Sequence, residues 1–397
     1  MTPSFDTPIP LALYVHLPWC VRKCPYCDFN SHEPRGGEPP FDAYVAALLR
    51  DLEAQLPEVW GRRIESVFIG GGTPSLFPPE AMAELMSGLR ALLPLRPDVE
   101  VTLEANPGTA DRDYFRGYRE AGINRLSLGV QSFDGDMLQR LGRIHGPEEA
   151  AEAVAHARTA GFERINLDLM FGLPGQSVAQ GVADLEAAIA QQPEHISWYQ
   201  LTLEPNTLFA ARPPVLPEDD AVGELFAAGR ALLAEADYTR YEVSAYARAD
   251  ERCRHNLNYW TFGDYLGIGA GAHGKLTRVH DGSIIRRVRP RQPQAYLDAP
   301  AGGRDTPVVP GERPFEFMLN ALRLVEGAPE ELFCERTGLP LAALQPGLDR
   351  VRGRGLLEPA GSGVLRATPE GLQFLNEVLE AFLAESEADG QQEEVSE

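Results

Sequence analysis

Three cysteines, Cys20, Cys24 and Cys27, lie within eight residues of one another near the start of the chain, in the spacing C-x-x-x-C-x-x-C. Thiols this close in sequence pair poorly with one another, so they read as ligands of a metal or metal–sulfide centre rather than as a disulfide framework. Their number is informative. Structural zinc is usually four-coordinate and closed, whereas a [4Fe–4S] cubane held by three thiolates leaves one iron open to an exogenous ligand. The zinc alternative stays open at this level, because His16, His32, Cys253 or Cys334 could supply a fourth ligand.

Something must hold these thiols against a ligand. Over the first 240 residues short apolar runs alternate with amphipathic stretches, which predicts repeated βα units and a parallel sheet. Candidate strands are 11–16, 65–70, 99–105, 125–130, 165–170 and 195–201, with helical patterns over 41–56, 80–93 and 179–191. The expected fold is α/β, a partial (β/α)6 barrel with a smaller α+β domain behind it. Polar motifs fall at the C-terminal ends of these strands, the edge where β/α barrels build their sites. After the second strand comes Gly70-Gly71-Gly72-Thr73-Pro74, where glycines let a backbone approach a ligand and can offer it unpaired N–H groups. A tight turn would explain that motif alone. The third strand, however, ends in Glu104-Ala105-Asn106-Pro107 and the fourth in Gly129-Val130-Gln131-Ser132, while the fifth carries Asn166 and Asp168. Four strand ends thus converge on one mouth. Glu104 there is suited to accept hydrogen bonds from ribose hydroxyls or a ligand amine.

The strings YVHLPWCVRKCPYC, IGGGTPS, LEANPG, LGVQSFD, LMFGLPGQ and HNLNYW resemble the radical S-adenosylmethionine superfamily, and within it the oxygen-independent coproporphyrinogen III oxidase family. The resemblance covers residues 11 to about 275. It implies that Cys20, Cys24 and Cys27 ligate the cluster, with the Tyr26 backbone beside it, and that Tyr14, Gly71 and Glu104 contact S-adenosylmethionine at the open iron. It also implies that Gly72, Thr73, Gln131, Arg143 and Asp168 match positions lining a second S-adenosylmethionine site in some members.

Two departures separate the chain from the oxidases. Those enzymes carry a further cysteine two residues beyond the third, where Phe29 stands here, and a longer N-terminal segment than the thirteen residues that precede Tyr14. Both features resemble the HemW-type haem chaperone subgroup, as does His255-Asn256-Leu257-Asn258-Tyr259-Trp260. The resemblance makes His255 the expected haem ligand, since imidazole is a common axial donor to haem iron. A hydrogen-bonded structural histidine is the alternative, and Cys253 could be a thiolate or inert. Arg286, Arg287, Arg289 and Arg291 in IIRRVRPR are candidate partners for the haem propionates, or simply a basic strand edge.

Composition sets the outer bounds. With 58 acidic against 36 basic residues and a net charge of −22, nucleic acid is an unfavourable partner. The N-terminus lacks a basic and then apolar signal, and no apolar run is long enough to span a bilayer, so the expectation is a cytoplasmic protein that is not integral to the membrane. A barrel with its haem segment is expected over 1–298, a Pro/Gly-rich linker over 299–311, a winged-helix-like domain over 312–383 and a disordered acidic tail over 384–397. The expected function is to bind haem and pass it to acceptor haemoproteins, membrane-associated ones among them, using a [4Fe–4S] cluster and S-adenosylmethionine. The alternative is a radical enzyme acting on a tetrapyrrole, in the manner of coproporphyrinogen III oxidase.

Overall fold

A computed structural model describes residues 5, 7–34, 36–109 and 112–383. The tail expected over 384–397 lies outside the described residues. Six parallel strands form the centre: β1 (Leu11–Leu17), β2 (Ile64–Gly71), β3 (Leu95–Ala105), β4 (Arg125–Gln131), β5 (Ile165–Phe171) and β6 (His195–Gln200). Between and after them run α1 (Phe41–Val59), α2 (Pro79–Leu92), α3 (Arg112–Ala121), α4 (Gly135–Arg140), α5 (Pro147–Thr159), α6 (Val178–Ala190), α7 (Leu208–Ala211) and α8 (Asp219–Glu235). The strands pair in chain order, each βα unit laying its strand beside the one before.

The sheet continues past both ends of this core. Beyond β6 lie β8 (Ala245–Ala247) and β7 (Thr239–Arg240). Beyond β1 lie β9 (Asp264–Ile268), parallel to it, and then antiparallel β10 (His273–Arg278), β11 (Ser283–Val288) and β12 (Arg304–Pro307). Among the described residues twelve strands are joined and the two ends do not pair, so the barrel is partial, as expected. The linker expected over 299–311 requires correction, because Arg304–Pro307 is an edge strand hydrogen-bonded to β11 and Val308 is buried. All four side chains of β12 are exposed, so its backbone pairing leaves no hydrophobic signature.

Strand alternation divides the side chains cleanly. Leu13, Val15, Val67, Ile69, Leu103 and Leu128 face the helices and join one large core. The intervening positions face inward and are largely polar. The short helix α9 (Arg254–Trp260), which carries HNLNYW, packs against this inner face at the N-terminal ends of the strands. Glu100, fully buried, receives the backbone N–H of Arg254 at 2.8 Å and ion-pairs with Arg125 and Arg164, each at 3.5 Å.

After α10 (Pro293–Asp298) the C-terminal region contains α11 (Arg313–Ala321), β13 (Ala328–Pro329), α12 (Glu330–Thr337), α13 (Gly347–Gly353), β14 (Val364–Leu365), α14 (Pro369–Gln373) and α15 (Leu375–Glu380). The antiparallel β13–β14 pair beside these helices gives the winged-helix-like outline. One continuous final helix is not formed, because Phe374 leaves helical geometry between α14 and α15. Its core also takes in Phe5, Ile9, Phe262 and Ile284, so it is welded to the sheet rather than tethered.

Removing Glu100 would leave the buried Arg125 and the half-buried Arg164 with Glu251 as their remaining carboxylate, and α9 without its anchor. Glu100→Ala is expected to destabilise the protein by about 3–5 kcal/mol in urea unfolding. A loss within about 0.5 kcal/mol, the usual range for an inert surface change, would show that the anchor is dispensable.

Candidate functional site

The cysteines sit on a loop whose two ends are pinned together. Cys20 N–H donates to His32 O at 3.0 Å and His32 N–H to Pro18 O at 2.7 Å, closing the segment between them. Trp19 anchors the loop by an edge-on contact with Tyr44 at 4.7 Å. The exit of β2 then clamps the loop: Gly72 N–H donates to Leu17 O at 2.8 Å and Thr73 N–H to Trp19 O at 2.7 Å. Glycine is required here, because a Cβ on Gly72 would lie 2.5 Å from Trp19 O and one on Gly71, at φ +120°, 2.7 Å from the His16 ring. This corrects the expectation of free N–H groups. Gly71 N–H is also engaged, donating to Glu104 Oε2 at 3.0 Å.

A cavity of about 410 Å³ opens at the C-terminal ends of the strands. Its wall contains Cys20, Cys24 and Cys27, and also Tyr26, Gly71, Gly72, Thr73, Glu104, Gln131, Arg143 and Asp168. Eleven of the thirteen expected site residues are therefore brought together. Tyr14 and His255 are not on this wall. Tyr14 lies below it, its hydroxyl 2.9 Å from His16 Nδ1 and its ring stacked on Phe68.

The three thiols are unpaired and have donors aimed at them. Thr73 Oγ1 lies 3.4 Å from Cys20 Sγ, and the Arg143 guanidinium 3.6 Å from Cys24 Sγ while it also donates to Gly129 O at 2.7 Å. Burial raises the pKa of Cys20 and of Cys27, and a bound metal centre would supply positive charge that stabilises their thiolates. Among the described residues no three His, Cys, Asp or Glu side chains close around a single ion. A cubane suits this arrangement, because each thiolate binds a different iron. The four candidates for a fourth zinc donor are otherwise engaged: His16 is held by Tyr14 and Asn30 O, His32 Nε2 meets Asn30 Oδ1 at 3.2 Å, Cys253 is buried beside Glu100, and Cys334 packs in the C-terminal core.

Two carboxylates face the thiols across the cavity. Burial, reinforced by the Asp168 carboxylate, pushes Glu104 up to about 8. Asp168 accepts from Ser127 and Asn166, each at 2.8 Å, and Asn166 in turn meets His195 Nδ1 at 2.6 Å, whose Nε2 reaches Tyr241 at 2.9 Å. A hydrogen-bonded chain thus runs from the floor of the sheet to Asp168. On the same wall Tyr199 donates to Gln131 Oε1 at 2.8 Å, and Gln131 holds φ +71° to present that group. Ser127, His195 and Tyr199 were not expected from the sequence, although each sits an even number of positions along its strand from an expected cavity residue or from the floor.

The haem candidates are placed elsewhere. His255 is 2% exposed, with Nδ1 3.1 Å from Ser66 Oγ, Nε2 3.1 Å from Tyr259 OH and its ring stacked on Phe68 at 5.0 Å. Burial alone lowers its pKa to about 3. Both nitrogens are occupied, so it offers no lone pair to haem in this conformation. Burial pushes the Cys253 thiol up to about 12, which excludes a thiolate there at neutral pH. The arginine run also needs correction: Arg286 pairs with Glu316, Arg287 with Asp305 and Glu58, and Arg289 with Asp51. Among the described residues, Arg291 alone of the four remains exposed without a side-chain partner.

Residues 14–187 match the radical SAM superfamily model and residues 310–374 the HemN C-terminal domain model. Over 376 residues the chain is 51% identical to Heme chaperone HemW of Escherichia coli (strain K12), covering 95% of this chain and 99% of that one. The chain belongs to the HemW family. The HemW of Haemophilus influenzae is 49% identical over 381 residues, 95% of this chain and 98% of its own. A mitochondrial radical S-adenosyl methionine domain-containing protein 1 from Bos taurus is 41% identical over 298 residues, 72% of this chain and 66% of its own. The solved coproporphyrinogen III oxidase (HemN) of Escherichia coli superposes with a TM-score of 0.79 over 94% of this chain and 90% of its own. At 22% identity that likeness shows the fold alone. Membership of the HemW family, through its radical SAM region, implies a [4Fe–4S] cluster and S-adenosylmethionine.

Two outcomes follow from this geometry. Cys24→Ala is expected to abolish the broad iron–sulfur absorbance near 400 nm after anaerobic reconstitution, while Arg143→Ala retains a cluster of altered midpoint potential in redox titration; an unchanged potential would deny Arg143 its role. Glu104 binds its proton up to about pH 8 when folded, against an ordinary value of 4.5, so the unfolded chain holds fewer protons between those limits. Apo-protein stability is therefore expected to fall as pH rises through that window. Glu104→Gln should flatten the slope relative to wild type in urea melts at several pH values, and parallel slopes would contradict the assignment.

Proposed function

We propose that this protein is a haem chaperone: it binds haem and passes it to acceptor haemoproteins, with its cluster cavity holding a [4Fe–4S] centre and S-adenosylmethionine. The observation that carries the proposal is the end-to-end likeness to a relative described as Heme chaperone HemW, 51% identical across 95% of this chain. Phe29 supports it, because an apolar ring replaces the further cysteine by which the resemblance marks the oxidases.

Cys20, Cys24 and Cys27 are the proposed ligands of three irons. When bound, the cluster supplies an electron to the sulfonium of S-adenosylmethionine. The chain's own residues do the positioning. Glu104, facing the open side, is placed to accept a hydrogen bond from the methionine amino group, a contact that favours its ionised form. Asp168, fixed by Ser127 and Asn166, is placed to accept ribose hydroxyls, and Gln131 offers an amide beside it. Arg143 lies beside Cys24 and offsets the negative charge of the thiolates. Tyr14, Gly71, Gly72 and Thr73 shape the floor and rim. Ligation of haem by His255 would require α9 to leave Phe68 and one of the two imidazole hydrogen bonds to break.

The reading is checked by supplying reconstituted protein with haem, and separately with coproporphyrinogen, S-adenosylmethionine and a one-electron reductant. Stoichiometric haem binding, transfer to an apo-haemoprotein and no protoporphyrinogen are expected. Decarboxylation at rates of about 1 per second or more, ordinary for an enzyme, or a failure to bind haem, would overturn it. Glu104→Gln should weaken S-adenosylmethionine binding about 10- to 100-fold by loss of a charged hydrogen bond, measured by calorimetry; equal affinity would remove Glu104 from the site.

A further inference from the structure

We infer that haem docks on the rim of the cluster cavity between Phe29 and His273, with the imidazole of His273 as iron ligand and Arg291 receiving a propionate. The inference rests on the haem-chaperone reading and gives it a site. His255 being sealed, a free imidazole must be sought elsewhere. His273 opens β10 with its side chain exposed, and among the described residues its ring makes no hydrogen bond or ion pair. Neighbouring histidines are differently placed: His16 is buried and doubly bonded, His32 is half-buried with Nε2 3.2 Å from Asn30 Oδ1, and His255 is sealed beneath Phe68.

The surroundings of His273 match an iron porphyrin in three ways. First, Asn30 Nδ2 donates to Ala270 O at 2.9 Å and to Arg291 O at 2.8 Å, tying the cysteine loop to the turn that leads into His273. That contact leaves no room for a side chain at Gly271, where a Cβ would meet Asn30 Nδ2 at 2.4 Å. Second, Phe29, the residue before this tie, is 59% exposed and lines the cavity mouth, so a large apolar ring stands uncovered on the same rim. Third, Arg291 is exposed beside the tie and close enough to His273 for its charge to act on the imidazole. An aromatic ring, an imidazole and a guanidinium are the groups that recognise porphyrin face, iron and propionate respectively. Partial burial, together with the charges of Arg286 and Arg291, lowers the pKa of His273 from 6.5, which favours the neutral imidazole an iron ligand requires. On a chain of net charge −22, such a pairing gives a dianionic porphyrin a local basic foothold.

The test is ferric haem bound to the full-length, anaerobically reconstituted protein, read by titration and by low-temperature electron paramagnetic resonance. The oxidised cluster is silent in that spectrum, so the haem signal reports its axial ligand. Wild type is expected to show imidazole ligation. His273→Ala should lose that signature and bind haem at least tenfold more weakly, with the cluster absorbance intact. Arg291→Ala should weaken binding severalfold and keep the signature. If His273→Ala keeps both the wild-type spectrum and affinity, or if His255→Ala alone removes the signature, the rim assignment falls while the chaperone reading stands. If wild-type protein binds no haem, both fall.

Discussion

The clamp between the first two strands decides whether this protein has a site at all. Gly72 and Thr73 reach across to Leu17 O and Trp19 O, which fixes the direction in which the chain leaves β1 and so the position of every cysteine. The clamp works only because no Cβ intrudes at Gly71 or Gly72. It also spends the backbone donors of the glycine segment on the protein itself. Polar recognition of a ligand is thereby left to side chains from β3, β4 and β5, chiefly Glu104, Gln131 and Asp168, and to the arginine that follows α4, Arg143.

Those side chains need support in a space stripped of bulk water. Burying a carboxylate is unfavourable unless it is hydrogen-bonded or neutral, and the inner face uses both devices. Asp168 is bonded through Asn166 and His195 down to Tyr241, whereas Glu104 is held near the protonated side of neutrality. At the floor, Glu100 is matched by Arg125 and Arg164 and caps the segment carrying His255. The HNLNYW helix is therefore part of the same inner-face scaffold as the cavity: His255 stacks under Phe68, and Phe68 under Tyr14. The short helix α9 covers the floor of this inner face.

Much of this was legible in the sequence, and the misses have physical causes. The six central strands were readable because each carries an outward apolar face over five or more residues, and the cavity residues because they end those strands. Three thiolates at tight spacing announced their chemistry directly. What could not be read was which side of a layer a residue occupies. His255 and the IIRRVRPR arginines look available as a string, but α9 seals the first, and Glu316, Glu58, Asp305 and Asp51 take up three of the four arginines. These partners lie far away in sequence. The edge strand β12 escaped notice because it is held by backbone pairing and the Arg287–Asp305 ion pair with no buried apolar side chain of its own, and Ser127, His195 and Tyr199 because a polar residue inside a strand shows its direction only once its neighbours' register is known.

The central claim is that three cysteines hold a cubane whose fourth iron, open toward Glu104, takes the amino and carboxylate groups of S-adenosylmethionine. Electron–nuclear double resonance on the reduced cluster, with S-adenosylmethionine carrying 15N in the amino group and 17O in the carboxylate, measures this directly. The account predicts hyperfine coupling from both labels. A reduced cluster showing coupling to neither label, with the cofactor present at saturation, would contradict it.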